Sequence, residues 1–138
     1  MSKWLTINPT PLLEECIETF EWDDTVSILS KAREIIGCEN LEMVKCWFSL
    51  GEGAMEHPLY LICDENFIFS NQAFNSFATL LYIGPYEMTK KELPRYIAGK
   101  VILCTAIEGE AMELTAGDID VVKELYKSIA KEMQEGGN

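Results

Sequence analysis

The single histidine of this chain, His57, closes a loop with two near-adjacent glycines, Ser49-Leu50-Gly51-Glu52-Gly53-Ala54-Met55-Glu56-His57-Pro58. An imidazole serves as general base or metal ligand, and closely spaced glycines let backbone N–H groups approach a phosphate. The context argues against both. Gly51-x-Gly53 lacks the third glycine and the Lys-Ser/Thr of a phosphate loop. It leads into Pro58 and a strand-like run rather than a helix, and Glu52 and Glu56 would repel an anion. No nucleophile or orienting group is fixed beside His57 by sequence, so the loop reads as a connection between strands.

The five cysteines, Cys16, Cys38, Cys46, Cys63 and Cys104, are odd in number, and no pair has the C-x-x-C spacing of a zinc or redox site. Cys46, Cys63 and Cys104 sit in apolar runs, where a free thiol packs as a small hydrophobe. Oxidative folding is not indicated. Carboxylate pairs at Asp64-Glu65, Glu108-Gly109-Glu110 and Asp118-Ile119-Asp120 lack the spacing of a calcium loop. They read as solvated turns. No metal or cofactor is expected.

The N-terminal acids form a stronger pattern. Glu14, Glu15, Glu18, Glu21, Asp23 and Asp24 accumulate with no base between Lys3 and Lys31. On a helix, Glu14/Glu18, Glu15/Glu18 and Glu18/Glu21 become like-charged neighbours, each costing a few tenths of a kcal/mol, roughly. Dipole and capping chemistry account for Glu14, Glu15, Asp23 and Asp24, but not for Glu18 and Glu21. Trp22 would share a face with Glu15 and Glu18. An aromatic ringed by charge is a common interface composition, so these seven residues are the candidate partner-binding site.

Elements that would carry these residues follow from periodicity. Residues 1–9 read as an N-terminal arm. Thr10-Pro11 opens a helix with Leu12, Leu13, Cys16, Ile17 and Phe20 at helical spacing. Asp23-Asp24 can cap a second helix with Val26, Leu29, Ala32, Ile35 and Ile36 on one stripe, ended by Gly37. An αα-hairpin is expected. From Met43 the period becomes two, with Val44, Cys46, Phe48 and Leu50 alternating against Met43, Lys45, Trp47 and Ser49, a half-buried strand. Leu59 to Cys63 and Phe67 to Ser70 read as a hairpin about Asp64-Glu65-Asn66.

Ser70 can cap a third helix, with Phe74, Phe77, Ala78 and Leu81 on one face, halted by Gly84-Pro85. A short helical piece is expected from Leu93 to Ala98. Val101 to Ile107 and Ala111 to Leu114 form a second hairpin. Thr115-Ala116-Gly117-Asp118 is a capping-box pattern opening a long amphipathic helix through Ile119, Val122, Leu125, Tyr126, Ile129 and Met133. Residues 135–138 read as a frayed tail.

The expected fold class is therefore α+β: one domain over 1–138, with a mostly antiparallel five-stranded sheet built from two hairpin-type units. An N-terminal αα-hairpin, a central helix and a long C-terminal helix would pack it. The order helix, three strands, helix, two strands, helix is similar to class I type III secretion chaperones. That resemblance rests on element order alone; it implies a small, acidic, dimeric protein-holding module and assigns no residues.

Bulk properties point the same way. The 138 residues suit one domain, and 48% hydrophobic with 25% charged residues is globular. With Asp+Glu 23 against Lys+Arg 11, the net charge of −12 disfavours nucleic-acid phosphates and anionic lipid and favours a basic protein. No apolar run reaches membrane-spanning length and the N-terminus has no secretory pattern, so a cytoplasmic location is expected. The leading expectation is a non-enzymatic acidic protein-binding module from a bacterium or phage. It would neutralise, hold or inhibit a basic partner, and could itself be a homodimer. The alternatives are a small enzyme or ligand-binding domain with a cleft near His57, Cys46 and Cys63, and a structural subunit of a homo-oligomer.

Overall fold

The computed structural model describes residues 2–9, 16–22, 27–51, 57–66, 72–93 and 95–136. Elements run in the order β1 (Ser2–Ile7), β2 (Ile17–Trp22), α1 (Ile28–Ile36), β3 (Leu41–Leu50), β4 (His57–Asp64), α2 (Ser76–Ile83), α3 (Pro85–Met88), β5 (Val101–Ile107), β6 (Glu110–Met112) and α4 (Ala116–Gly136). The α+β class stands; among the described residues the sheet has six strands rather than five, all antiparallel, ordered β2-β1-β5-β4-β3, with β6 paired to β5.

The sheet is covered on both faces, which explains why β5 reads Val101-Ile102-Leu103-Cys104, all buried, instead of alternating. Leu5, Ile7, Leu59, Leu61, Val101 and Leu103 pack against Phe77 and Leu81 of α2 and Ile119, Val122 and Tyr126 of α4. Trp4, Ile62, Ile102 and Cys104 face the other way, onto Ile28, Ala32, Ile35 and Ile36 of α1 and Ala111 of β6. Register keeps the two sets apart, since cross-strand partners such as Trp4↔Phe20, Leu61↔Leu103 and Ile62↔Ile102 share a face.

The N-terminal expectations need correcting. The arm is strand β1, an interior strand of the sheet, and from Ile17 the first expected helix is strand β2; residues 10–15 lie outside the described part of the chain. Two physical terms favour the strand. Thr19, Phe20 and Trp22 suit a pleated surface better than a helix. Glu18 and Glu21, neighbours on a helix, go to opposite faces of a strand, which removes their repulsion. The αα-hairpin is thus a single helix, α1, on the described residues, and the chaperone-like element order is not the observed one.

α1 keeps the expected Gly37 stop, at φ 80, its N–H bonded to Arg33 O at 2.8 Å. Its core stripe begins at Ile28, however, and Leu29 is 48% exposed. α2 is capped by Asn75, whose side chain accepts from Ala78 N, and Ser70 lies outside the described residues, as does the strand expected at Phe67 to Ser70. The expected helical piece at Leu93 to Ala98 does not form among the described residues of that span, and Pro94 lies outside them. Ile97 and Gly99 instead bond to Asn75, Thr79 and Ala73, and a bridge joins Phe74 to Ala98, so those backbone groups are already used. The short helix forms earlier, at Pro85–Met88. The capping box of α4 is present in both directions: Asp118 N donates to Thr115 Oγ1 at 3.1 Å, and Thr115 N to Asp118 Oδ2 at 3.3 Å.

Candidate functional site

Of the seven residues expected to form an acidic docking face, Glu14, Glu15, Asp23 and Asp24 lie outside the described residues. Glu18, Glu21 and Trp22 are on β2, an edge strand. Glu18 and Glu21 are exposed but leave from opposite faces. Each already has a counterpart within the sheet: Glu18 accepts from Asn8 Nδ2, and Glu21 stands directly across from Lys3. The structure does not gather these two acids into one surface. Charged residues on both faces of an edge strand also discourage edge-to-edge pairing, which gives them a structural task.

His57 opens β4 and approaches α4, with Nε2 3.3 Å from Asp118 Oδ2. The same carboxylate accepts from Thr115 N, so the contact ties the start of β4 to the cap of α4. Cys63 is six positions further along the same strand, about 20 Å away at the rise of an extended chain. Cys46 is buried on the neighbouring strand. These three residues therefore do not converge on a reacting centre. Burial pushes the thiol of Cys63 up to about 12, with Glu42, Asp64 and Cys38 adding to it, and burial alone pushes that of Cys104 to about 12. Cys46 is raised as well, chiefly by burial. A neutral buried thiol is neither nucleophile nor metal ligand. Among the described residues no group of three or more His, Cys, Asp or Glu is placed to hold a metal ion.

One surface feature of the described residues lies where β3 meets the end of α2. A shallow cleft of about 380 Å³ is lined by Trp47, Ile83, Gly84, Tyr86, Glu87 and Arg95. Trp47 stems from the irregular part of β3, where register to β4 shifts between Lys45 and Ser49. Such a bulge re-aims side chains. The indole lies directly on Gly84: a Cβ there would come 2.7 Å from Trp47 Cδ2. Gly84 also has φ 88 and ψ 164, a region that glycine alone adopts without strain. The glycine is thus required twice, for the chain's exit from α2 and for the seat of the indole. Phe48 meets the Trp47 ring edge-on at 4.9 Å.

With that support, Trp47 remains 61% exposed and Tyr86 beside it 75% exposed. The charges around them are engaged locally. Lys90 Nζ reaches Glu87 Oε2 at 2.8 Å and lies 5.5 Å over the Tyr86 ring. Arg95 stacks at 4.8 Å over Tyr82 and its Nη1 reaches the Tyr82 hydroxyl at 3.4 Å. The cleft offers aromatic surface beside an ion pair, Glu87–Lys90, and an arginine stacked on Tyr82. An apolar, aromatic or cationic side chain can be taken up there with little ordering cost on this side.

Sequence reasoning did not find this site. Trp47 alternates with Val44, Cys46, Phe48 and Leu50 and so falls among Met43, Lys45 and Ser49 on the more polar side of the strand. Its meeting with Gly84 and Tyr86 depends on tertiary packing of α2 against β3. Comparison with protein-family models, with curated proteins and with solved structures returns no match.

Proposed function

We propose that this chain is a non-enzymatic protein-binding module that holds or inhibits a basic partner, as an immunity, inhibitor or secretion-chaperone type protein would, and that the cleft about Trp47 and Tyr86 is an anchor point. The supporting observation is a tryptophan fixed on a glycine backbone yet largely open to solvent. Immobilised aromatics at the centre of a contact carry a disproportionate share of binding energy. The net charge of −12 supplies long-range attraction for a cationic partner, and the open indole face accepts a lysine or arginine side chain. The buried, neutral thiols favour no reaction at the cysteines.

The test is affinity capture from the native host at low and moderate salt with the intact chain, Trp47→Ala and Gly84→Ala. The expected result is a basic protein whose recovery falls with salt. Trp47→Ala should weaken it by about 2 kcal/mol or more, as for a central interface aromatic. Recovery unchanged by Trp47→Ala, in a variant with an unaltered circular dichroism spectrum, removes the cleft from the contact.

A further inference from the structure

The polar side chains around the Trp47 cleft divide unevenly between donors and acceptors. Trp47 and Tyr86 bring an indole N–H and a phenol hydroxyl to exposed positions. Arg95 gives one guanidinium N–H to the Tyr82 hydroxyl at 3.4 Å and lies over the Tyr82 ring, which leaves most of its donors for another acceptor. Lys90 adds an ammonium 5.5 Å over the Tyr86 ring. Glu87 is the only carboxylate among the described lining residues, and Lys90 Nζ already holds it at 2.8 Å. The cleft therefore combines open aromatic surface with side-chain donors, and its carboxylate acceptor is engaged.

We infer that the cleft takes a proline-rich segment of the partner in the polyproline II conformation, which rests on reading the cleft as a contact and names what enters it. An ordinary extended segment brings one backbone N–H per residue, and each N–H that loses water on binding needs an acceptor. Proline brings none, while its carbonyl remains free to accept. A polyproline II segment has no internal hydrogen bonds, so its carbonyls are available to the indole, the hydroxyl and the guanidinium. Its rings are apolar and pack on aromatic side chains, a recurring mode of peptide recognition. The segment is also extended before it binds, so little conformational entropy is lost on either side, the indole being seated on Gly84. A sugar ring would stack on the same indole, but every sugar hydroxyl carries a donor of its own, and the cleft is short of side-chain acceptors. Basic residues flanking the prolines keep the long-range attraction to a chain of net charge −12.

The probe is a synthetic peptide of prolines and leucines with arginines at one end, tested against a peptide of the same length and charge in which every proline is alanine. Binding to the intact protein is read from the indole N–H resonance of Trp47, assigned with Trp47→Phe, and from the amide shifts of residues 82–90. The expected result is saturable binding of the proline peptide, with the alanine peptide weaker by roughly tenfold or more. Tyr86→Ala, at an exposed position, should weaken the proline peptide by a similar factor. Arg95→Met is the most discriminating variant. It removes donors and should weaken binding, whereas attraction of charge alone would make the removal of a cation strengthen the binding of an arginine-bearing peptide. Equal binding of the alanine peptide would show that charge or strand pairing is read and not proline. That would overturn the inference while leaving the cleft a contact for a basic partner. Shifts confined to residues away from the cleft, an absence of binding, or stronger binding in Arg95→Met would overturn it as well. So would a cello-oligosaccharide that moves the Trp47 resonance when the proline peptide does not. Capture of a basic protein from the host, lost in Trp47→Ala, tests the contact itself and does not depend on proline, so the two readings fail separately.

Discussion

Asn75 joins three backbone segments far apart in sequence. Its Nδ2 donates to Ile7 O at 3.1 Å and to Gly99 O at 2.8 Å, while Oδ1 accepts from Ala78 N at 3.1 Å. The side chain is completely buried, so each of these bonds replaces water that cannot reach the site. Thr79, one turn on, extends the arrangement: its hydroxyl bonds Asn75 O at 2.7 Å and accepts from Ile97 N at 2.9 Å. These contacts hold the 95–98 segment, and with it Arg95, against α2. Asn75→Ala would leave two carbonyls and an N–H without partners. The expected loss of stability is about 3 kcal/mol, seen as a lower urea midpoint at unchanged slope. Asn75→Asp keeps the cap acceptor but sets a carboxylate against two carbonyls, and should lose at least as much. If Asn75→Ala unfolded at the midpoint of the intact chain, the buried network would have no energetic role. Rigidity at the start of α2 thus comes from buried polar groups whose hydrogen bonds are satisfied within the protein.

At the scale of elements, the β5–β6 hairpin packs Ala111 with the α1-side core and turns through Glu108 and Gly109, at φ 52 and φ 82. Two consecutive positive φ values define the mirror-image turn whose twist matches the flanking strands. Glutamate is not its preferred residue at the first of these positions, whereas asparagine tolerates the left-handed region. Glu108→Asn should therefore stabilise the chain by about 0.5 kcal/mol, measured as a raised urea midpoint; a lowered one would show that the turn is held by its surroundings rather than by its own geometry.

The same scale explains what could be read from the sequence. Gly37, Gly84-Pro85 and the Thr115/Asp118 box marked their helix ends because those signals are local and act through the backbone itself. Ile17 and Phe20, three apart, gave a helical reading to a segment that the structure pairs with β1, because the choice was settled by a strand ten residues away. The Trp47 cleft was not legible: alternation sets Trp47 away from Phe48, and nothing local marks the register shift between Lys45 and Ser49 that accompanies its seat on Gly84. Nothing in Glu110 or Ala111 announces that their hairpin packs toward the α1-side core.

For the molecule as a whole, the thiols set a limit on alkaline stability. Cys46, Cys63 and Cys104 are buried, and burial raises all three, the last two from the ordinary 9.0 to about 12. In the unfolded chain these groups ionise near pH 9; in the folded chain they hold their protons. Below pH 9 both states are protonated and the stabilisation is complete. As pH rises beyond 9 the unfolded state sheds protons that the native state retains, and the balance shifts toward unfolding until Cys63 and Cys104 titrate near 12 in the folded chain. Each thiol then removes about 1.4 kcal/mol per pH unit within that window. Urea unfolding between pH 8 and pH 11 should show stability flat at first and falling steeply above pH 9. Growing charge repulsion in an acidic protein would also depress stability at high pH, so the decisive comparison is with Cys46→Ala/Cys63→Ala/Cys104→Ala. That variant begins less stable, because it leaves small voids in a packed core, but its decline above pH 9 should be markedly shallower. Parallel declines in the two proteins would refute the assignment. Cys38, only partly buried and raised less far, with Arg33 opposing the effects of burial and Asp64, should be the first of these four thiols to react with a thiol reagent in the native state.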